Sequence, residues 1–325
     1  MCFHLAQGLS ERGHDITLVG AGSTKADAAF IPTFPKPAAE MDQTGSAMPE
    51  IIHAARSARA LDGLDVDVIH EHSLAGPLTA VGSAVPTILT AHGPTTGEFE
   101  AYYRALSSEI GLVAISDAQR RRMPDLPWVA TIHNALDLEE YPFSDKEGDY
   151  VAFLGRMSAD KGVGLAIDAA RAAGRRLVMA AKCSDDKERE YCEAEVMPRL
   201  AEDVEWIEDA DADRTKLILR DAYCTVFPIR WEEPFGMVMI ESMACGTPVV
   251  ALRGGSVPEV VDEGVTGFIR DNPAELPNAI ALAGELDRCA CRDRVARLFD
   301  VPMMVSRYEK VYLDRIRSAE VGVDR

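Results

Sequence analysis

The stretch Trp231-Glu-Glu-Pro-Phe-Gly-Met-Val-Met-Ile-Glu-Ser-Met-Ala-Cys-Gly-Thr-Pro248 follows a short apolar run, Cys224–Phe227, that is closed by Pro228. Pro234, Phe235 and Gly236 read as a turn into a helix, Gly246 as its stop and Pro248 as the start of the next strand. Strand, turn, helix, glycine and strand in that order make a βαβ unit. The helix then begins at the carboxyl edge of a parallel sheet, where such folds bind ligands. At that start the N–H groups of Gly236, Met237 and Val238 lack intrahelical partners, and with the helix dipole they form an anion site of diphosphate size. Glu241, about a turn and a half into the helix, can accept two hydroxyls of a ribose beside that anion. Glu233, ahead of the helix, can point at whatever the outer phosphate carries. The bland alternative is an acidic loop and a surface glutamate, which two carboxylates eight residues apart would ordinarily be. The frame around them favours chemistry.

A second piece, Gly155-Arg-Met-Ser-Ala-Asp-Lys-Gly162, follows the strand candidate Tyr150–Leu154 directly. Arg156 offers a fork of donors and Lys161 a mobile point charge, two cations in a glycine-flanked turn before a helix, which suits a phosphate clamp. A solvated turn with surface cations is the competing account.

Working outward, β-rich runs alternate with helical patterns along the whole chain, the signature of stacked βαβ units. The earlier strand candidates are Asp15–Val19, Val66–His70, Thr87–Ala91, Leu112–Ser116 and Val129–His133. The later ones, after Tyr150–Leu154, are Arg176–Ala181, Val204–Ile207, Cys224–Phe227, Pro248–Leu252 and Gly267–Ile269. The polar segment Asp137–Asp149, with Pro142 and Gly148, interrupts the alternation and reads as a linker. Residues 1–140 and 141–302 are therefore expected to form two doubly wound α/β domains, followed by a C-terminal helix over 303–325. Met1 opens directly on a helix with Cys2, Leu5, Ala6 and Leu9 on one face, so the usual preceding strand and glycine-rich turn are absent, either by truncation, the favoured reading, or because the domain has lost its first strand.

Bulk properties set limits on function. A length of 325 residues suits two domains, and 47% hydrophobic with 27% charged residues is ordinary for a globular chain. No apolar run approaches the ~18 residues of a membrane span and no signal peptide precedes the first helix, so a cytoplasmic location is expected. The net charge of −19 argues against nucleic acid and against a polybasic membrane anchor. Seven cysteines without a CxxC pair fit reduced thiols, and Cys289 and Cys291, two apart on a helix, diverge.

Together the two glycine-flanked pieces resemble glycosyltransferase family 4, retaining enzymes with the GT-B architecture of two facing Rossmann-like domains and a donor cleft between them. The family's G-R-x-x-x-x-K-G turn stands here as Gly155–Gly162 and its E-x7-E motif as Glu233–Glu241. Gly255-Ser-Val-Pro-Glu-Val260, Gly264-Val-Thr-Gly-Phe268, Leu9-Ser-Glu-Arg-Gly-His14, Ala91-His92-Gly93, Ile115-Ser116 and Ile132-His-Asn134 extend the likeness over nearly the whole chain. The resemblance implies that a sugar moves from a nucleoside-diphosphate sugar, UDP or GDP type, to a hydroxyl of a small molecule or glycan. It implies no cofactor and no metal ion: Arg156 and Lys161 would neutralise the leaving diphosphate. Glu241 would hold the ribose, Glu233 with Phe235–Val238 would hold the donor's sugar hydroxyls and phosphates, and His92 would approach the donor sugar from the first domain. Gly155, Lys182 and Ile207 would complete the donor site. Arginine in preference to lysine suggests a GC-rich bacterial source, where such enzymes serve polysaccharides, lipids or secondary metabolites such as antibiotics.

Weaker signals are weighed alongside. Gly20-Ala-Gly22 imitates a dinucleotide fingerprint with Lys25 where a third glycine belongs. His70 and His72 could share a face, but no third metal ligand is evident. Lys182 is as readily a surface lysine. Tyr102, Tyr103 and Trp128 fit a core better than an acceptor pocket, and Glu208–Asp213 is more acidic than the family's glycine-containing turn, which unsettles base recognition near Ile207. A nucleotide-sugar epimerase, a phosphorylase and a non-catalytic sugar-nucleotide-binding protein remain alternatives. Nucleobase, sugar, acceptor and oligomeric state do not follow from these residues.

Overall fold

The computed structural model describes residues 1–37, 40, 47–80, 82–106 and 108–323. In chain order the principal elements are α1 (Cys2–Ser10), β1 (Thr17–Ala21), β2 (Ala29–Phe34), α2 (Met48–Leu61), β3 (Ile69–Glu71), β4 (Thr87–Ala91), α3 (Glu98–Ala105), β5 (Gly111–Ala114), α4 (Asp117–Arg122) and β6 (Trp128–Thr131). There follow β7 (Tyr150–Arg156), α5 (Val163–Ala172), β8 (Arg176–Lys182), α6 (Asp186–Tyr191), β9 (Val204–Ile207), α7 (Ala212–Arg220), β10 (Cys224–Phe227) and α8 (Met237–Ala244). The chain finishes with β11 (Val249–Leu252), α9 (Val257–Val260), β12 (Gly267–Arg270), α10 (Leu276–Leu282), α11 (Arg288–Leu298) and α12 (Val301–Val323). No helix among the described residues is long and apolar enough to cross a membrane.

Two units result. One comprises Met1–Asn134 together with α12, and the other is Ala135–Asp300. The sequence reading had divided the chain at 140 and 302. The difference arises because Leu136 already belongs with the second unit, its N–H bonded to Phe299 O at 3.0 Å.

The second unit is a six-stranded sheet in the order β12-β11-β10-β7-β8-β9, every pairing parallel. Its strands are short and almost wholly apolar, and β10 and β11 are buried along their full length, as expected where helices cover both faces. Phe153, Ile167, Met179 and Val250 pack in one cluster, and Ala152, Val178, Leu219 and Cys245 in another. The chain winds outward from β7 through β8 to β9, then returns to the other side of β7 at β10. That reversal leaves a crevice at the carboxyl ends of β7 and β10, and both glycine-flanked motifs leave the sheet there.

A helix from the end of this unit staples it. Arg288 of α11, 6% exposed, donates to Ser144 O (2.9 Å), Ala222 O (2.9 Å), Arg220 O (2.7 Å) and Thr247 Oγ1 (2.6 Å). One turn later Arg292 donates to Ala244 O at 2.6 Å, the last residue of α8, and to Tyr141 O at 2.9 Å. A cation on the carboxyl end of a helix satisfies orphan carbonyls and complements the dipole.

The first unit holds a four-stranded parallel sheet, β3-β4-β5-β6, and a separate parallel pair, β1-β2. Strand β2 was absent from the sequence reading. Pro32 at its centre has no N–H to give a ladder and reads against a strand, but among the described residues β2 pairs on one side only, with β1. Helix α1 buries Leu5, Ala6 and Leu9, whereas Cys2, expected on that face, is exposed. Helix α12 packs on α1 and β4 within this unit: Gly8 leaves no room for a Cβ, which would lie 2.5 Å from Val305 Cγ2.

Replacing Arg288 with Met keeps the aliphatic stem and removes every donor, leaving buried carbonyls unpaired. Chemical denaturation followed by tryptophan fluorescence should show a loss of ~3 kcal/mol or more. An unchanged midpoint would mean that these carbonyls find other donors.

Candidate functional site

At the carboxyl end of β7 the backbone runs Gly155, Arg156 and Met157, whose N–H donates to Lys182 O at 2.8 Å and extends the ladder with β8. Gly162 (φ +72°) caps α5, and a Cβ there would lie 2.1 Å from Pro228 O. This loop therefore presses on the one leaving β10, and Arg230 N–H donates to Asp160 O at 2.8 Å. The close approach brings Lys161 Nζ within 2.6 Å of Glu233 Oε2, with side-chain exposures of 18% and 11%. Trp231 Nε1 donates to the same oxygen at 3.0 Å, and its ring lies 5.0 Å from Lys161 Nζ.

Glu233 is held from behind by Gly254–Ser256. Gly255 (φ +52°) would place a Cβ 2.0 Å from Glu233 O. Its N–H donates to Glu232 Oε2 at 2.7 Å, the Ser256 N–H to Glu233 O at 3.0 Å and the Ser256 hydroxyl to Phe235 O at 2.7 Å. Phe235 is buried edge-on against Phe299 at 5.8 Å. Gly236 (φ +77°) then starts α8, so the N–H groups of Met237 and Val238 open beside the Lys161–Glu233 pair.

Arg156, 56% exposed, is steadied from one side by Glu188 Oε1 (3.2 Å) and Asp160 Oδ2 (3.5 Å). Glu188 is 4% exposed, and its other oxygen accepts the Ser184 N–H at 2.7 Å. A buried carboxylate thus aims the guanidinium and leaves its outer edge in solvent. Lys182 ends β8 opposite Arg156 in the parallel register, exposed. Ile207 and Val238 pack on one apolar cluster together with Tyr141. The acidic run after Ile207 has a local cause, since Asp211 accepts the Arg214 N–H at 2.8 Å and caps α7.

Glu241 is mostly buried, and among the described residues its carboxylate accepts no hydrogen bond. Burial raises its pKa above the ordinary 4.5, and Lys216 opposes the shift. Lys216 lies 3.8 Å from Glu140 Oε2 and 4.9 Å from the Tyr141 ring. A desolvated carboxylate without donors is prepared to accept hydroxyls.

In the first unit His92 follows β4. Gln119, 3% exposed, accepts the Ile115 N–H at 2.8 Å and donates to Ala91 O (2.9 Å) and Gly93 O (2.8 Å), clamping both neighbours of His92. The structure adds His92 to the His70–His72 pair, but both His70 nitrogens already meet hydroxyls, those of Tyr312 and Thr90. Tyr103 is buried in the core, and Trp128 packs against the same cluster with its Nε1 donating to Met123 O at 2.7 Å. The seven thiols are free.

The structure thus brings Arg156, Lys161, Glu233, Gly236 and Glu241 to one sheet edge. Glu188, Trp231, Gly254–Ser256, Lys216 and Gln119 were not singled out as site residues by sequence. Gly255 was within reach, because a glycine pair before Ser256 signals a close backbone approach.

Known proteins bear on this arrangement. A family model described as Glycosyltransferase Family 4 matches residues 1–140, and one described as Glycosyl transferases group 1 matches 138–289. Alpha-maltose-1-phosphate synthase of Mycobacterium tuberculosis is 30% identical over 248 residues, 62% of this chain and 63% of that protein. The chain therefore matches less than two thirds of that relative's length. AviGT4, a glycosyltransferase involved in avilamycin A biosynthesis, is similar in structure with a TM-score of 0.70 at 23% identity, over 97% of this chain and 88% of that one. HepE of Anabaena, solved with UDP and glucose, gives a TM-score of 0.74 at 18% identity over 96% and 95%. Both are likenesses of fold, an α/β architecture of the GT-B class.

The raised Glu241 pKa has a sign that can be measured. Because the folded state binds this proton more tightly than the unfolded chain, stability is lost as pH rises from the unfolded value of about 4.5 through the folded one. Glu241→Gln should raise the melting temperature at pH 7, with a gain that shrinks toward pH 4. An equal or lower melting temperature at pH 7 would show that the carboxylate is compensated.

Proposed function

Because the chain belongs to glycosyltransferase family 4, its later half matching the group 1 transferases, we propose that it transfers a sugar from a nucleoside-diphosphate sugar to a hydroxyl acceptor, with retention and without a metal ion. The observation that carries this reading is the convergence of Lys161 and Glu233, 2.6 Å apart, beside the start of α8 at the reversal of the sheet. Arg156 and Lys161 take the two phosphates with the first N–H groups of α8, Glu241 accepts the ribose hydroxyls and Glu233 the sugar hydroxyls. Gly155, Lys182 and Ile207 border the nucleotide, and His92 of the first unit addresses the sugar.

In this reading the C1–O bond of the donor breaks with its electron pair passing to the phosphate oxygen, where placed cations stabilise the developing charge. The acceptor oxygen bonds to C1 and its proton passes to the departing phosphate. Glu233 is engaged by Lys161 and Trp231 and serves as a positioning acceptor, not as a nucleophile. That HepE was solved with UDP and glucose makes UDP-sugars the first donors to try. A soluble small molecule or glycan is the expected acceptor class, and a bacterial role in polysaccharide or antibiotic chemistry suits it.

A thermal-shift screen of UDP, GDP, ADP and dTDP sugars should give one clear stabilisation, since binding to the folded state alone adds about 2.7 kcal/mol at a hundredfold excess over Kd. With that donor, Lys161→Met and Glu233→Ala should each lower transfer by ~10²-fold or more while the fold stays intact. EDTA should leave the rate unchanged. No stabilisation by any of the four, or full activity in Glu233→Ala, would overturn the reading. Donor turnover without an acceptor would favour an epimerase.

A further inference from the structure

Two imidazoles meet in the first unit, above neighbouring parallel strands. His72 follows β3 and His92 follows β4, and Nδ1 of His72 lies 2.9 Å from Nε2 of His92, the rings stacked at 5.2 Å and 26°. Beneath them, the His70 ring sits 4.1 Å from that of His72. His70 is fixed at both nitrogens: Nδ1 is 2.7 Å from the Tyr312 hydroxyl and Nε2 is 2.8 Å from the Thr90 hydroxyl. The Thr90 hydroxyl in turn lies 2.8 Å from that of the fully buried Tyr308. Helix α12 therefore anchors His70, His70 backs the face of His72, and His72 meets His92. The transfer reaction as read above uses only the last of these.

A 2.9 Å contact between ring nitrogens requires one hydrogen between them. Two lone pairs face to face repel, and so do two N–H groups. Each neutral imidazole has one of each. Burial lowers both rings, His72 to about 3, so both are neutral near pH 7. The tautomer of one ring then dictates that of the other, and with it whether His92 turns an N–H or a lone pair outward at Nδ1.

We propose that His72 is a positioning residue that sets the tautomer and ring orientation of His92, on a mount formed by His70 and the tyrosines of α12. The inference rests on the reading of His92 as the residue addressing the donor sugar. An imidazole with free choice of tautomer spends part of its time presenting the wrong group to a sugar hydroxyl.

The test uses the full chain labelled with ¹⁵N-histidine at pH 7, with His92→Gln to assign the ring signals. Wild type should show His92 in one neutral tautomer. His72→Asn, whose amide reaches the place of Nδ1, should keep it single, while the similarly sized His72→Leu should give shifts averaged between the two. With a donor that is turned over, His72→Leu should lower kcat by about tenfold or more with little change in donor KM, and His72→Asn should restore most of it. An unchanged His92 tautomer in His72→Leu, or equal losses in the two variants at equal melting temperature, would overturn the proposal. A wild type that transfers no sugar yet shows the tautomer response would overturn the transferase reading and leave the positioning role standing.

Discussion

Lys161 and Glu233 lie 2.6 Å apart on loops that leave different strands, each largely withdrawn from solvent and each the other's counter-charge. The sheet has to reverse between β7 and β10 for the loops to meet. Gly162 has to be glycine for the first loop to lie against Pro228, and Gly255 has to be glycine for the third loop to lie against Glu233. Each requirement is met by backbone, which makes the pair a consequence of the fold more than of side-chain choice. In a chain of net charge −19 a free cation in this crevice would be drawn to any of many carboxylates. Tying Lys161 to one of them keeps its charge in place until another anion competes for it.

The buried Arg288 and the partly buried Glu241 make an instructive contrast. Arg288 is surrounded by carbonyls and a hydroxyl that take up its donors, and no carboxylate neutralises it in that set. Glu241, a few residues along α8 from the pair, is desolvated yet receives no hydrogen bond among the described residues. A satisfied buried ion is structural material, whereas an unsatisfied one holds free energy that a ligand can release. The same helix thus has its carboxyl end capped by Arg292 and its amino end left open.

What could be read from the amino acids followed from local regularity. The alternation of apolar runs with helical patterns locates β1 and the strands of the two larger sheets, and the glycine-flanked turns put Arg156, Lys161, Glu233 and Glu241 on one edge. Strand β2 escaped because Pro32 argues against a strand everywhere except at a sparsely paired position. Glu188 escaped because its link to Arg156 exists only after α6 has folded back over β8, and nothing in Asp185–Glu188 beyond a helix cap betrays it. The acidity of Glu208–Asp213 departs from the family's glycine-containing turn, and its Asp211 caps a helix, a role that the composition alone does not show. Gln119 likewise acts through the carbonyls on either side of His92, a role invisible without the fold.

Helix α12 follows the second unit in the chain, yet it belongs with the first. During synthesis the second unit, Ala135–Asp300, emerges from the ribosome as one uninterrupted segment, and domains generally fold as such units. The first unit, although translated earlier, must wait with the docking surface for α12 on α1 uncovered, His70 lacking the Tyr312 hydroxyl and Thr90 lacking that of Tyr308. The nascent chain therefore matures against its own direction of translation, and a message cut short after residue 300 yields a complete second unit beside an unfinished first one.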